Sequence, residues 1–350
     1  MKIIHSIFSF NIGGAETMLV DILNQQCLEA SVGLIIVNEK INTALLNTID
    51  KRVNVYLLNR KEGNKIQLLT TFFKINQIIN KITPDVIHCH DNKLFPFFIR
   101  WGGKTCLTVH SVNLSETFIK KYSRVFAISV AVQQNIKIHS GISARVVYNG
   151  IEIDQYKQRI NYGFDQDKDE FKIIQISRLF PKQKGQHIAI RAISLLKEQN
   201  PDLNFKLYFV GGGENLEELE EMAVQCAVRD QIVFVGAVDR RWIKNNLCNY
   251  HLLIQPSLIE GFGLTIAEGF ACGLPVIASD LDGPKEIIEI LHSGLLVKPD
   301  DSADLAEKIN QIIHAYIAKE IDKQIVPVCD LSRFDVRATA KNYIQSYPVQ

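Results

Sequence analysis

Two carboxylates, Glu260 and Glu268, bracket a glycine-punctuated turn within PSLIEGFGLTIAEGFACGLPVIASDLDGPKE, residues 256–286. The apolar run HLLIQPS before them reads as a strand, and LTIAEGFA after them as a helix. Gly261 and Gly263 carry no side chain, so backbone amides there can approach a ligand closely. A helix that begins near Leu264 points its unpaired N–H groups and positive dipole end at the same place, which suits a diphosphate. Phe262, Gly263, Leu264 and Thr265 form that rim. On a helical rise the two carboxylates stand about 12 Å apart, roughly the span of a nucleotide sugar. Glu260 then takes sugar hydroxyls, Glu268 ribose hydroxyls, and the helix start the phosphates. Either glutamate alone is an ordinary loop or helix-start residue. Together with the flanking glycines and CGLPVIAS they read as a site.

The cations that such a diphosphate needs lie in ISRLFPKQKGQHIAI. Arg178 and Lys184 follow a strand and precede a helix, where fixed positive charge neutralises a leaving group. Lys182 competes with Lys184 and reads more readily as a solvated lysine. Gly13 and Gly14 in NIGGAE stand between a first strand and a first helix. They permit a tight turn against phosphate or acceptor, or serve as a plain βα turn. VGGGE, with Gly212 at its centre, is a similar turn. Three histidines close strands: His88 and His90 in DVIHCH, His110 in LTVHS. Residues two apart on a strand share a face, so His88 and His90 can pair. That spacing suits a metal, but no third ligand is evident, and no Asp-x-Asp pair stands at a strand end, so no divalent ion is expected. KLFPFFIRWGGK, residues 93–104, is aromatic and basic. It fits a membrane interface through Lys93, Arg100, Trp101 and Lys104, or core packing.

EGFGLTIAE resembles the Glu-x7-Glu motif of the retaining GT-B glycosyltransferases of family 4, the glycosyl transferases group 1. The resemblance covers essentially the whole chain: NIGGAETMLVDIL, DVIHCH, LTVHS, VVYNGIEID, ISRLFPKQKGQ and YFVGGGE fall in the family's order. It implies an α/β GT-B fold, two Rossmann-like doubly wound domains facing across a cleft, with the donor held mainly by the second. It implies that Arg178 and Lys184 bind the diphosphate, that His110 contacts the transferred sugar, and that His110, Glu260, Arg178 and Lys184 are the catalytic set. The Gly13–Gly14 loop then lies against the sugar-phosphate, and transfer retains configuration. The Arg–Lys spacing is one residue longer than the family's commonest form, and the assignment to Lys184 rests on the following Gly185.

These residues need a scaffold, and the pattern supplies one. KIIHSIFSF, SVGLIIVN, VNVYLL, DVIHCH, KTCLTVH, RVFAIS and ARVVYNG in the first half, and FKIIQIS, FKLYFVG, QIVFVG, HLLIQPS and LPVIAS in the second, are short apolar runs. Helical stretches such as AETMLVDILNQQC, QHIAIRAISLLKEQN and NLEELEEMAVQCAV separate them. That alternation predicts parallel sheets buried on both faces, with ligands at the carboxyl ends of the strands. The polar stretch at residues 155–170 reads as a linker. Residues 1–160 therefore form an acceptor-side domain and 161–330 a donor-binding domain. FDVRATAKNYIQSY, within 331–350, is a helix predicted to cross back onto the first.

The composition, 47% hydrophobic and 22% charged over 350 residues, is that of a globular protein with sizeable cores. Seven scattered cysteines, Cys27, Cys89, Cys106, Cys226, Cys248, Cys272 and Cys329, form no C-x-x-C pair and point to a reducing compartment. The opening residues are too short for a cleaved leader, and no apolar run spans a bilayer. A cytoplasmic location is expected, at the inner face of a membrane if the basic half binds one. Residues 1–150 hold 17 Lys+Arg against 9 Asp+Glu, and the remainder 22 against 29. The basic half suits an anionic partner such as a lipid-linked saccharide or membrane surface. Nucleic acid is disfavoured, since no binding motif is present. The expected partners are a nucleotide sugar, with a UDP-sugar taken first among UDP-, GDP- and ADP-sugars, and a saccharide or lipid-linked saccharide acceptor in bacterial surface polysaccharide synthesis. No separate cofactor is expected. A nucleotide-sugar epimerase and a non-catalytic saccharide-binding protein are the competing readings.

Overall fold

Runs of β-branched residues too apolar to leave a face in water must pair inside a covered sheet. In the computed structural model, which describes residues 1–11, 13–62, 65–112, 117–320 and 330–348, they do so in two separate units. Along the chain come β1 (Lys2–Ile7), α1 (Gly14–Gln26), β2 (Ser31–Asn38), α2 (Thr43–Leu46), β3 (Asn54–Arg60), α3 (Lys65–Ile82), β4 (Val86–Cys89), β5 (Thr105–Val109), β6 (Arg124–Ala127), α4 (Val130–Ser140) and β7 (Arg145–Val146). The second unit follows with β8 (Phe171–Ile176), α5 (Pro181–Lys184), α6 (Gln186–Gln199), β9 (Phe205–Val210), α7 (Leu216–Gln225), β10 (Ile232–Gly236) and α8 (Arg240–Asn246). It continues through β11 (Leu252–Gln255), α9 (Leu264–Ala271), β12 (Val276–Ser279), α10 (Asp282–Leu291), β13 (Leu295–Val297) and α11 (Ser302–Ile317), before α12 (Val336–Ser346).

The first sheet runs β3-β2-β1-β4-β5-β6-β7 and the second β10-β9-β8-β11-β12-β13. Strand pairing is parallel throughout both. Each order doubles back once, between β1 and β4 in one sheet and between β8 and β11 in the other. There the connections leave toward opposite sides and open a crevice at the strands' carboxyl ends. Every apolar run named above contains a strand. The short β13 was not among them, because three residues carry too little pattern to stand out.

The units divide at Glu152/Ile153 and again at Leu331/Ser332, so α12 belongs with the first unit, where it packs against α1. The boundary thus precedes residue 160, and the stretch 155–170 is not a free linker. Tyr156 and Phe164 are buried. The Arg159 N–H donates to the Cys272 carbonyl at 2.8 Å, and its guanidinium donates to the Tyr250 carbonyl at 2.7 Å. Gln158, Arg159 and Tyr162 spend their polar groups on backbone carbonyls of Ala271, Tyr250 and Gly273 in the second unit.

Two other expectations resolve in the structure. Residues Asn92–Lys104 form a 3-10 stretch whose Leu94, Phe95, Phe97 and Phe98 turn inward, so most of that aromatic segment is core. The six described cysteines are free; Cys329 lies outside the described residues. No helix among the described residues is long and apolar enough to cross a membrane.

Candidate functional site

In the second unit the site is assembled at the β8/β11 reversal. The turn after β8 is fixed from below: Gln186 Nε2 donates to Ser177 Oγ at 2.9 Å and to the Arg178 carbonyl at 2.8 Å. Gln175 Nε2 donates to the Lys184 carbonyl at 2.6 Å. Gly185 closes α5 in the left-handed region at φ 69°, and a Cβ there would collide with the Pro256 carbonyl. That close approach brings the turn after β8 against the turn after β11. The Gln183 carbonyl then accepts the N–H groups of Leu258 and Ile259 at 2.8 and 3.2 Å. The next residue along is Glu260.

Lys184 Nζ consequently lies 2.6 Å from Glu260 Oε2, with both side chains less than a fifth exposed. The two residues, read from the sequence as serving different parts of one ligand, are each other's ion-pair partner. Arg178 and Lys182 are exposed on the same turn. Gly212 adjoins it: its carbonyl accepts the Leu179 N–H at 2.9 Å.

Gly263 stands at φ 103° as the N-cap of α9 and has no side chain with which to cap it. Leu264 and Thr265 open the helix half-buried, with Thr265 Oγ1 3.4 Å from Gln255 Oε1. The Phe262 ring is buried, so that residue presents backbone to any ligand. Glu268 is buried one turn into α9, and the Tyr156 hydroxyl donates to its Oε1 at 2.8 Å. Burial and the Glu268 charge push the Tyr156 phenol well above its usual range, so it remains a donor.

Two residues here escaped the sequence reading. Tyr156 lies in the stretch taken as a linker. Asp282 lies in the quoted LDGPKE but carried no assigned role. Its carboxyl is raised above its ordinary value by burial and by the Glu260 charge. The start of α10 is pressed onto the Glu260 turn: a Cβ at Gly283 would run into the Gly261 and Phe262 backbone.

Gly13, Gly14 and His110 belong to the first unit, the glycines after β1 at its reversal and His110 after β5. Gly13 is the N-cap of α1, with extended backbone, and Gly14 its first residue. His88 and His90 stack at 4.6 Å between ring centroids. The third histidine absent from the sequence reading is His5 of β1, in register with His88 on β4. It was hidden inside an apolar run that read only as core. Ring nitrogens of His5, His88 and His90 lie within 4.8 Å of one another, the crowding of a metal triad. Each is already spoken for, however. His5 bonds to His90 and to Gln26 at 3.0 and 2.8 Å, and His88 to Tyr347 and Thr108 at 2.8 and 2.7 Å. His90 bonds onward to His110 at 3.1 Å. Burial pushes His5 and His110 down to about 4, and His88 and His90 well below the usual range, so all four are neutral.

Comparison with known proteins bears on the family and the fold. The family described as glycosyl transferases group 1 matches residues 157–325, and glycosyltransferase family 4 matches residues 12–155. An uncharacterised glycosyltransferase of Methanocaldococcus jannaschii is 31% identical over 177 residues, 48% of this chain and 44% of that protein. The gpi3 subunit of the Schizosaccharomyces pombe phosphatidylinositol N-acetylglucosaminyltransferase is 24% identical over 72% of this chain and 58% of its own. The chain thus spans about half the length of these two curated relatives. Among solved structures, Anabaena HepE in complex with UDP-glucose overlays at TM-score 0.79 and 25% identity over 99% of both chains. WaaG, a glycosyltransferase of lipopolysaccharide biosynthesis, overlays at 0.71 and 13% identity over 99% of this chain and 96% of that one.

Proposed function

The chain belongs to the group 1 glycosyltransferases and has the GT-B fold, and from that premise we propose that it moves a sugar from a nucleoside diphosphate sugar to a saccharide or lipid-linked saccharide, retaining anomeric configuration. The observation that carries this reading is the arrangement around α9. A charge pair, Lys184 with Glu260, sits beside a helix start that no side chain caps, and a buried carboxylate, Glu268, is held one turn further in by Tyr156.

In this mechanism the bond between the anomeric carbon and the diphosphate oxygen breaks. The electron pair leaves on the diphosphate, where Lys184, Arg178 and the α9 N–H groups stabilise it. Glu260 orients the sugar as positive character develops on it. The acceptor oxygen forms the new bond on the face the diphosphate leaves, and its proton passes to a diphosphate oxygen. Glu268 accepts ribose hydroxyls. The complex of Anabaena HepE with UDP-glucose supports a UDP-sugar donor. The role of WaaG in lipopolysaccharide biosynthesis supports surface polysaccharide as the product class.

The test is calorimetric titration of UDP-, GDP- and ADP-sugars into the wild type and the Glu268→Ala variant, with transfer assayed on the donor that binds. Donor affinity should fall in the variant while turnover at saturation changes little. Wild-type affinity in Glu268→Ala removes the assignment. Donor conversion to an epimer without any acceptor favours the competing enzyme class.

A further inference from the structure

A helix on a covered sheet needs one apolar face, and α3 has that face in Ile75 and Ile79, both fully buried. It also carries apolar side chains that folding leaves outside. Leu69 and Phe73 are 67% and 65% exposed, and, standing four residues apart, they share one side of the helix. A single exposed leucine needs no explanation, but a group of large apolar side chains does.

The group extends beyond α3. That helix lies against the 3-10 stretch Asn92–Lys104, most of which is core, yet Ile99 of that stretch stays 62% exposed. The stretch lies in turn against the 3-10 turn Ile119–Lys121. Phe118 enters this turn in the left-handed region at φ 63° and is itself exposed. Such a backbone is strained for an aromatic residue, and here the strain sets a phenyl ring on the outside.

The charge around these side chains has one sign. Neither α3 nor Asn92–Lys104 contains a single Asp or Glu, while they hold five lysines and Arg100 between them. Lys74, Lys81, Lys93 and Arg100 are exposed, and no ion pair among the described residues engages them. The second unit offers a contrast. Val224 of α7 is as exposed as Ile99, but its helix carries Glu217, Glu218, Glu220 and Glu221.

Apolar tips among unpaired cations match the layered chemistry of an anionic bilayer. The apolar side chains enter the boundary between headgroups and acyl chains, and lysine and arginine stems reach the lipid phosphates. A second copy of this chain fits less well, because a two-fold contact would set these cations against one another. We propose that the outer side of α3, with the adjoining Asn92–Lys104 and Phe118–Lys121 segments, docks the first unit onto an anionic phospholipid surface. Leu69, Phe73 and Ile99 enter the interface, and Lys74, Lys81, Lys93 and Arg100 meet the headgroups. The surface lies within one unit and goes beyond the sugar-transfer reading, on which it does not depend.

The test is cosedimentation of the full-length protein with vesicles of mixed phosphatidylglycerol and phosphatidylcholine, and with vesicles of phosphatidylcholine alone. The protein should pellet with the mixed vesicles at low salt and much less with the neutral ones. Lys74→Gln and Arg100→Gln should each weaken partitioning about fivefold. Leu69→Ser combined with Phe73→Ser should weaken it about tenfold or more, and Val224→Ser should leave it unchanged. In Phe73→Trp, the added emission should move to the blue on mixed vesicles and be quenched by brominated acyl chains. No pelleting with mixed vesicles overturns the proposal. So does equal pelleting of the wild type and the Leu69→Ser, Phe73→Ser variant, or Phe73→Trp emission that stays unmoved while the protein pellets. Emission that moves with protein concentration alone assigns the face to a second copy of this chain and overturns it too. Should the serine variant not fold, the glutamine variants and the Phe73→Trp emission decide. None of these results bears on sugar transfer, which the donor titrations read separately.

Discussion

Removing one oxygen, in Tyr156→Phe, isolates the contact on which the buried end of the second-unit site depends. The Tyr156 hydroxyl donates to Glu268 Oε1 at 2.8 Å, with the two residues 5% and 9% exposed. Water therefore has little room to replace the lost donor. A hydrogen bond to a charged acceptor contributes about 1.5–3 kcal/mol net. For a unit the size of Ile153–Leu331, that corresponds to a fall in Tm of about 3–12 °C. The assay is urea denaturation of Tyr156→Phe, Glu268→Gln and the double variant, which isolates the coupling between the pair. Glu268→Gln alone should cost less than Tyr156→Phe, because a neutral amide oxygen still accepts the Tyr156 proton. Donor affinity should fall in Tyr156→Phe as well, since the carboxylate loses the group that orients it. A coupling energy below about 0.5 kcal/mol, the scatter of independent sites, would refute the reasoning.

Lys184→Met should lower turnover by about 10²-fold or more through the lost leaving-group charge, with a smaller change in KM, as steady-state kinetics on the accepted donor will read. Glu260→Gln added to Lys184→Met should recover part of the stability that the single variant loses, because the half-buried carboxylate is then no longer unpaired; denaturant midpoints test this. Gly185→Ala should unfold the second unit at markedly lower temperature, since it adds both a left-handed strain and a collision with the Pro256 carbonyl; calorimetry that leaves its Tm unchanged removes the packing argument. The first unit should weaken as pH falls. The unfolded chain protonates His5 near pH 6.5, whereas the folded one does so only near 4. The stability from burying it neutral, about 3 kcal/mol, is thus fully present above pH 6.5 and is lost progressively as pH falls toward 4. Chemical denaturation at pH 7.5 and at pH 5 measures it, and equal stabilities would contradict neutral burial.

The legibility of this protein follows the distance over which its residues act. The parallel strands were readable because a sheet covered on both faces forces unbroken apolar runs, and each run declares itself locally. The α9 start was readable because two glycines and two glutamates fall within one turn-and-helix segment. Tyr156 was not readable, because its partner Glu268 is 112 residues away and its own neighbourhood is polar enough to pass for a linker. Asp282 gave no signal until α10 packed on the Glu260 turn.

The sequence by itself determined two βα-alternating halves and a glycine-flanked helix start bracketed by two glutamates, since strand burial and helix-start chemistry are properties of short segments. Only the tertiary structure decided that Lys184 faces Glu260, that the polar stretch after Glu152 belongs to the second unit, and that His5 stands beside His88 and His90. Those outcomes depend on which strands become neighbours when the sheet order doubles back. Strand order is set by how whole helices and strands pack, and no local window of residues contains it.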